Sequence, residues 1–532
     1  MKDSVFTGTA KNFPSSKRAH PSAIAVLKLW QEREFLLVIS LSAIIAFLGL
    51  GSSCFFDVEA SFAQAAKEMM ERGDLLTPFF NGEARFDKPI LFYWLILASY
   101  KIFGISEFAA RFPSALSGLL LSVSLFSFMN IIGRKEIALL SSLFFCLSFY
   151  FLSFTHAAVV DMTFTLFLSL SLFSFFLYAE GCKRMIYGFY VFSALAFLTK
   201  GLIGILIPFC VVLLYSLYLD RRKAIAKLFN PRGICLFAIV ALPWFVAEVS
   251  MYGMDFFYEF VIKHHFVRYT QVLSGHKGPF YFYIPLTLIG FFPWIIFLPH
   301  GLRKAPTASL ELFASIWSLF TFLFFSISKT KYPSYILPMF PPLAMIAASG
   351  KNSERPTLIF LCLLSFAFGL FVLLFPFFLP FELEKPERFC LYGLSANFAL
   401  SFGVGLYGLV RKSEIVRPLS ALMLCLLLFT SFFVIRSMAL YLQGEVTTFS
   451  LYARGQTDRS EEIAAFGTNN PAIVFYSERR VKKFKDVEAL KAFAEGKQRL
   501  FVIARKEYSS RLKDVGFFAV REGKNYALLA KE

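Results

Sequence analysis

The polar residues of this chain that could do chemistry fall in a few tight groups between long apolar runs. Asp57 and Glu59 follow the first such run, and Asp87-Lys88-Pro89 closes the stretch that they open. Asp161 and Lys200 each stand at the edge of an apolar run. His264, His265, Arg268 and His276 crowd into one segment, and Lys329, Lys331, Tyr332 and Tyr335 into another. Lysine and arginine brought together in this way suit a phosphate, which they bind through charge-assisted hydrogen bonds. An acid beside them would orient or deprotonate an acceptor.

Each group also has a plainer use, and both readings stand. Asp57 and Asp161 fit helix N-termini, and Glu59 fits a first turn. Lys88, Lys329 and Lys331 fit the membrane interface as anchors. Lys200 resists such a reading, because a lysine between two apolar runs is costly unless it meets an anion. The histidine spacing matches no zinc signature, so a metal held by His265 stands beside histidines that hydrogen-bond a ligand.

The elements that must position these groups are membrane spans. Of the 532 residues 57% are hydrophobic and 18% aromatic, and the mean hydropathy of +0.62 excludes a soluble globular class. The net charge of +18 is therefore read loop by loop rather than as a nucleic-acid footprint. The 8 cysteines form no C-x-x-C pair and sit mostly inside apolar runs, which argues against a disulfide framework.

About 20 apolar residues cross a bilayer. On that scale about thirteen spans are predicted, near 35–54, 108–132, 137–154, 162–179, 185–199, 201–219, 233–250, 280–299, 309–327, 334–349, 356–380, 389–410 and 416–436. With residues 1–34 as a cytoplasmic tail, every predicted inside loop carries at least two bases, as the positive-inside rule requires. The chemistry-bearing groups then fall on the outside, beginning with a first loop at 55–107 whose EASFAQAAKEMMER reads as a helix ended by Gly73. Residues 35–436 form the membrane domain, and 437–532 read as a small α/β domain, also outside. In it AIVFY, RLFVIA, VGFFAV and YALLA read as strands, and DVEALKAFAEG and EYSSRLKD as helices.

At these residues the chain resembles the GT-C polyprenyl-phosphate-sugar glycosyltransferases. It is most similar to the bacterial lipid A 4-amino-4-deoxy-L-arabinose transferases of glycosyltransferase family 83, and more distantly to protein O-mannosyltransferases. The carrying segments are DVEASFAQAAKEMMERGDLLTPFFNGEARFDKPILFYWL, EFAARFPSAL, the VVD ending at Asp161, LTKG, HFVRY, HKGPFYFY and FFSISKTKYPSYILP, in family order from about residue 55 to 345.

The resemblance implies a GT-C fold of about thirteen spans with a periplasmic C-terminal domain, in a bacterial inner membrane. It implies transfer of a sugar from an undecaprenyl-type phosphate to lipid A or another glycan or protein acceptor, with no nucleic acid involved. The family's catalytic acid falls on Asp57 or Glu59, the Lys of its E-K-P motif on Lys88, and the Arg of its H-x-x-R-[FY] motif on Arg268. Asp161, Lys331 and Tyr335 would line the donor pocket, with Lys200, Lys329 and His276 also binding substrate. No cofactor is required, although family members can hold zinc through positions that here are Asp87 and His265. One departure stands out: aligned from the following helix, Val58 takes the place of the family's catalytic Asp. The rival readings are a protein O-glycosyltransferase of the same fold and a non-enzymatic lipid transporter, which would need polar residues at mid-bilayer.

Overall fold

The computed structural model describes residues 33–219, 229–272, 275–305, 309–351, 354–378, 385–497 and 499–531. Most of the predicted tail, part of the inside loop after 219 and part of the outside loop at 381–388 lie outside these residues.

All thirteen predicted spans are helical. Among the described residues seven helices are long and apolar enough to cross a bilayer, and two bent pairs raise the number to nine. The bent pairs are Lys135–Cys146 with Phe149–Thr155, at 59°, and Tyr283–Gly290 with Trp294–Leu302, at 101°. The remaining four are shorter: Arg33–Phe47, Met185–Lys200, Ile203–Tyr218, and Phe340–Ser349 entered through a 3₁₀ turn at Pro333–Met339. The largest core cluster joins these helices through large rings, among them Trp294 stacked on Phe144 at 4.3 Å and Tyr150 on Phe340 at 4.1 Å. The residues from the predicted inside loops meet at one end, where Lys135, Lys351, Lys412 and Arg417 line a single groove.

The first loop builds the other end. Asp57–Arg72 is helical and stops at Gly73, whose φ of 68° is left-handed as a helix-ending glycine requires. A two-stranded hairpin follows, β1 (Phe79–Phe80) and β2 (Glu83–Ala84), turned by Asn81 and Gly82 with φ of 57° and 87°. Asn-Gly suits such a turn because both positions need positive φ. Glu68 fixes it by accepting the backbone N–H groups of Asn81 at 2.7 Å and Gly82 at 3.0 Å.

The C-terminal sheet has the order β4-β3-β5-β7-β6, with β3 (Ile463–Phe466) parallel to β4 (Val481–Phe484) and β5 (Leu500–Arg505). β7 (Tyr526–Lys531) runs antiparallel to β5 and to β6 (Phe518–Glu522). The predicted strand AIVFY is instead the helix Ala472–Ser477. Asn470 accepts the Ala472 N–H at 2.9 Å and starts that helix, which outweighs the β preference of its apolar residues.

This helix docks the sheet domain onto the first loop. Phe475 packs edge-on to Phe55 at 4.9 Å, the Tyr476 hydroxyl accepts the Phe55 N–H at 2.9 Å, and Lys67 pairs with Glu478 at 2.6 Å. The Asn81 side chain completes the joint like a strand partner, donating to the Val481 carbonyl and accepting its N–H, both at 2.9 Å.

Candidate active site

A cavity of about 660 Å³ lies under the first loop. Its polar end is assembled from five separate segments. Arg85, Asp87 and Lys88 come from the turn after the hairpin, and Asp161 from the first residue of the helix Asp161–Ala179. Lys200 ends the helix Met185–Lys200, where Gly201, with a φ of 77°, breaks the backbone and brings the chain round to the next helix. His264 and Arg268 come from a π-helical stretch at Tyr258–Val267 and the turn after it, and Tyr332 and Tyr335 from the 3₁₀ entry. Away from this end the wall turns apolar, with Ile203, Leu206, Phe209, Phe266 and Phe324.

Charge is distributed unevenly among these groups. Asp87 is gripped by Arg85 through two hydrogen bonds, of 2.5 and 3.0 Å. Burial alone would raise the Asp87 pKa, but the adjoining guanidinium holds it well below the usual carboxylate range. Asp161 pairs with Lys200 at 2.5 Å, and the Lys200 ammonium lies over the rings of Phe164 at 5.1 Å and Tyr335 at 5.2 Å. Both carboxylates lining the cavity are thus neutralised. Lys88 and Arg268 have no carboxylate partner among the described residues. The Lys88 ammonium donates to the Asp87 carbonyl at 2.9 Å, and the buried Nε of Arg268 has no hydrogen-bond partner. Two unmatched cations in a partly apolar cavity suit a phosphate.

Burial, then the nearby charges of Arg268 and Lys200, push the Lys88 amine down to about 7. A phosphate in contact would raise it again, so binding takes up a proton when the pH lies above that value. The affinity for a phosphate ligand is therefore expected to weaken above pH 7, by at most about tenfold per unit. Lys88→Arg, which stays charged, should flatten the dependence. Binding titrations from pH 6.5 to 9 measure both, and a flat wild-type curve would exclude contact between Lys88 and the phosphate.

Five predicted site residues point elsewhere. Glu59 is only 2% exposed and is consumed by structure: Arg111 grips it at 2.8 and 3.0 Å, and it accepts the N–H groups of Phe56 at 3.0 Å and Ala158 at 2.8 Å. Asp57 caps no helix by its side chain and does not line the cavity; it accepts a hydrogen bond from Gln443, which in turn accepts one from Asn470 at 2.7 Å. Lys331 turns inward and donates to the carbonyls of Phe325 at 3.1 Å and Ser326 at 2.5 Å. Lys329 is exposed, and His276 lies against Tyr332 at 4.1 Å outside the cavity. The first-loop residue at the cavity between the two acids is Val58, 51% exposed.

Arg85, His264 and Tyr332 also line the cavity, although the resemblance assigns none of them a role. The i, i+2 spacing of Arg85 and Asp87 was the available signal for the first. A π-helical turn, which shifts side chains relative to α-helical periodicity, hides the second.

A likeness in sequence covers the same ground. The dolichyl-phosphate-mannose-protein mannosyltransferase family matches residues 87–247. An uncharacterized protein of Aquifex aeolicus is 34% identical over 388 residues, 68% of this chain and 77% of its own length. The chain belongs to the GT-C polyprenyl-phosphate-sugar glycosyltransferases. The undecaprenyl phosphate-alpha-4-amino-4-deoxy-L-arabinose arabinosyl transferase of Aeromonas hydrophila is 33% identical over 302 residues, 55% of each chain. The chain thus spans about half the length of the curated transferases that it matches. In structure it is similar to ArnT from Cupriavidus metallidurans bound to undecaprenyl phosphate, with a TM-score of 0.81 at 19% identity over 93% of this chain and 97% of that one. The fold is that of a multi-pass GT-C membrane protein with a small C-terminal sheet domain.

Of the two predicted zinc positions, Asp87 is already engaged by Arg85. Arg85 occupies both oxygens of Asp87, and no group of three or more His, Cys, Asp or Glu side chains among the described residues converges as a donor set. The side chain of His265 lies outside the description.

Proposed function

We propose that this protein transfers 4-amino-4-deoxy-L-arabinose or a related sugar from undecaprenyl phosphate to lipid A, on the periplasmic side of a bacterial inner membrane. The observation that carries this reading is the pair of unmatched cations, Lys88 and Arg268, at the polar end of a cavity whose other walls are apolar. A polyprenyl phosphate has that same division. Its phosphate meets the cations, and its chain runs along Leu206, Phe209 and Phe266 towards lipid.

In the transfer, the bond between the anomeric carbon and the phosphate oxygen breaks and its electron pair stays on the phosphate. An acceptor oxygen bonds the anomeric carbon from the opposite face, with inversion. Lys88 and Arg268 stabilise the charge that develops on the leaving phosphate. Asp161, held by Lys200, and Tyr335 border the space that the sugar would take.

The acceptor is chosen by what the cavity lacks. A serine or threonine hydroxyl needs a base to remove its proton, whereas an ionised phosphate is already a nucleophile. Val58 supplies no base and both carboxylates in the cavity are tied to cations, so a hydroxyl acceptor would have to use the His264 imidazole in place of an acid, whereas a phosphate needs no base. This favours a phosphate of lipid A over a protein acceptor. The bases gathered at the far end favour that end as cytoplasmic, which places the cavity on the periplasmic face.

Mass spectrometry of lipid A tests the proposal, in a host without its own transferase that expresses either this chain or Lys88→Ala. A pentosamine or hexose increment is expected with the wild type alone. Unchanged lipid A with the protein present in the membrane would overturn the acceptor.

A further inference from the structure

A second cavity, of about 910 Å³, lies at the end where the basic loops meet. The helix Glu107–Ile131, about 37 Å long at 1.5 Å per residue, separates it from the active site. Its floor is leucine: Leu41 on Arg33–Phe47, Leu139, Leu140 and Leu143 on Lys135–Cys146, and Leu424 on Val416–Phe429.

The mouth carries four acids, Glu34, Glu136, Glu354 and Glu414, and four bases, Lys135, Lys351, Lys412 and Arg417. All eight are exposed, and among the described residues none pairs with another of the eight; Glu354 alone has a partner, His300 at 3.4 Å. Between Lys412 and Glu414, the Ser413 hydroxyl is buried with no hydrogen-bond partner. Acids and bases that share one mouth without pairing leave both signs of charge available to a ligand. An apolar floor beneath them demands an apolar tail.

We propose that this groove holds one phospholipid with an ethanolamine headgroup, its phosphate on Lys412 and Arg417, its ammonium on Glu136 and Glu414, and an acyl chain on the leucine floor. A primary ammonium carries three N–H donors for the acids, which a choline headgroup lacks. A glycerol headgroup carries no positive charge and would leave the acids unmatched. From Lys135 to Leu147 the wall runs about 18 Å along the helix axis, enough for most of an acyl chain.

The full chain in mild detergent is mixed with equal amounts of palmitoyl-oleoyl phospholipids carrying ethanolamine, choline or glycerol headgroups, and the retained lipid is read by native mass spectrometry. The ethanolamine lipid is expected to be retained about tenfold over the others, the worth of one charge-assisted contact. Glu136→Gln with Glu414→Gln should erase that preference, whereas Lys412→Ala with Arg417→Ala should weaken retention of all three lipids. Leu140→Trp, which fills the floor and keeps every charge, should abolish retention. Equal retention of the three lipids by the wild type, preference for the glycerol headgroup, or no retention would each overturn the proposal. The headgroup comparison uses the wild type, so misfolding of a variant does not remove the test. Binding of undecaprenyl phosphate at the other end certifies each variant as folded.

Discussion

Replacing Lys88 by alanine is expected to lower kcat by about 100- to 1,000-fold, the usual loss when one group that stabilises transition-state charge is removed. Lys88 is half-buried among cations, which lowers its pKa to about 7, and a bound phosphate would restore its full charge. As the sugar leaves, the phosphate becomes more negative, and the interaction strengthens between ground state and transition state. The loss should therefore appear mainly in kcat, read from sugar transfer in proteoliposomes at saturating donor. Arg268→Ala removes the other unmatched cation and should fall in the same range. A Lys88→Ala enzyme with unchanged kcat and a raised KM would show that the lysine only captures the donor, and would move the transition-state role to Arg268.

The largest effect on stability is expected at Arg111→Ala, at about 3–5 kcal/mol, because it leaves the Glu59 carboxylate buried without its countercharge. The Arg111 side chain also donates to the carbonyls of Leu50 at 3.0 Å, Ser53 at 2.9 Å and Cys54 at 3.1 Å. It thereby holds the start of the first loop to the first span. Thermal melting in detergent should show a large drop for Arg111→Ala, and a smaller one for Glu59→Gln, which keeps the shape and loses the charge. Asp57→Asn preserves an acceptor for Gln443 and should stay within about 0.5 kcal/mol of wild type. A Glu59→Gln protein that melts like wild type but transfers no sugar would reverse this assignment and make Glu59 catalytic.

Glu59 shows where sequence reading stops. An acid in the first turn after a span has the right type and place for catalysis, but its partner, Arg111, is 52 residues away in sequence. No local spacing reveals that contact. Lys88, Arg268, Asp161, Lys200 and Tyr335 were legible because each is a polar group beside apolar runs, where cost implies use. Lys331 shares that signal and is misread for the same reason: two backbone carbonyls satisfy it as well as a phosphate would. The thirteen spans were legible from hydropathy, whereas the bends of 59° and 101° that shape the bundle depend on packing. In the sheet domain AIVFY misled, since a six-residue helix begun by Asn470 leaves no periodic trace, and the four-residue strands β3 and β4 went unread.

The docking joint also sets a timetable. Lys67, Asn81 and Phe55 are bound by residues 411, 400 and 421 positions later in the chain. At the usual pace of synthesis, about 5–20 residues per second, roughly 20–80 seconds separate the emergence of the first loop from that of its clamp. A ribosome that stops short of residue 470 therefore releases a protein with every span in place and the roof of its cavity unfastened.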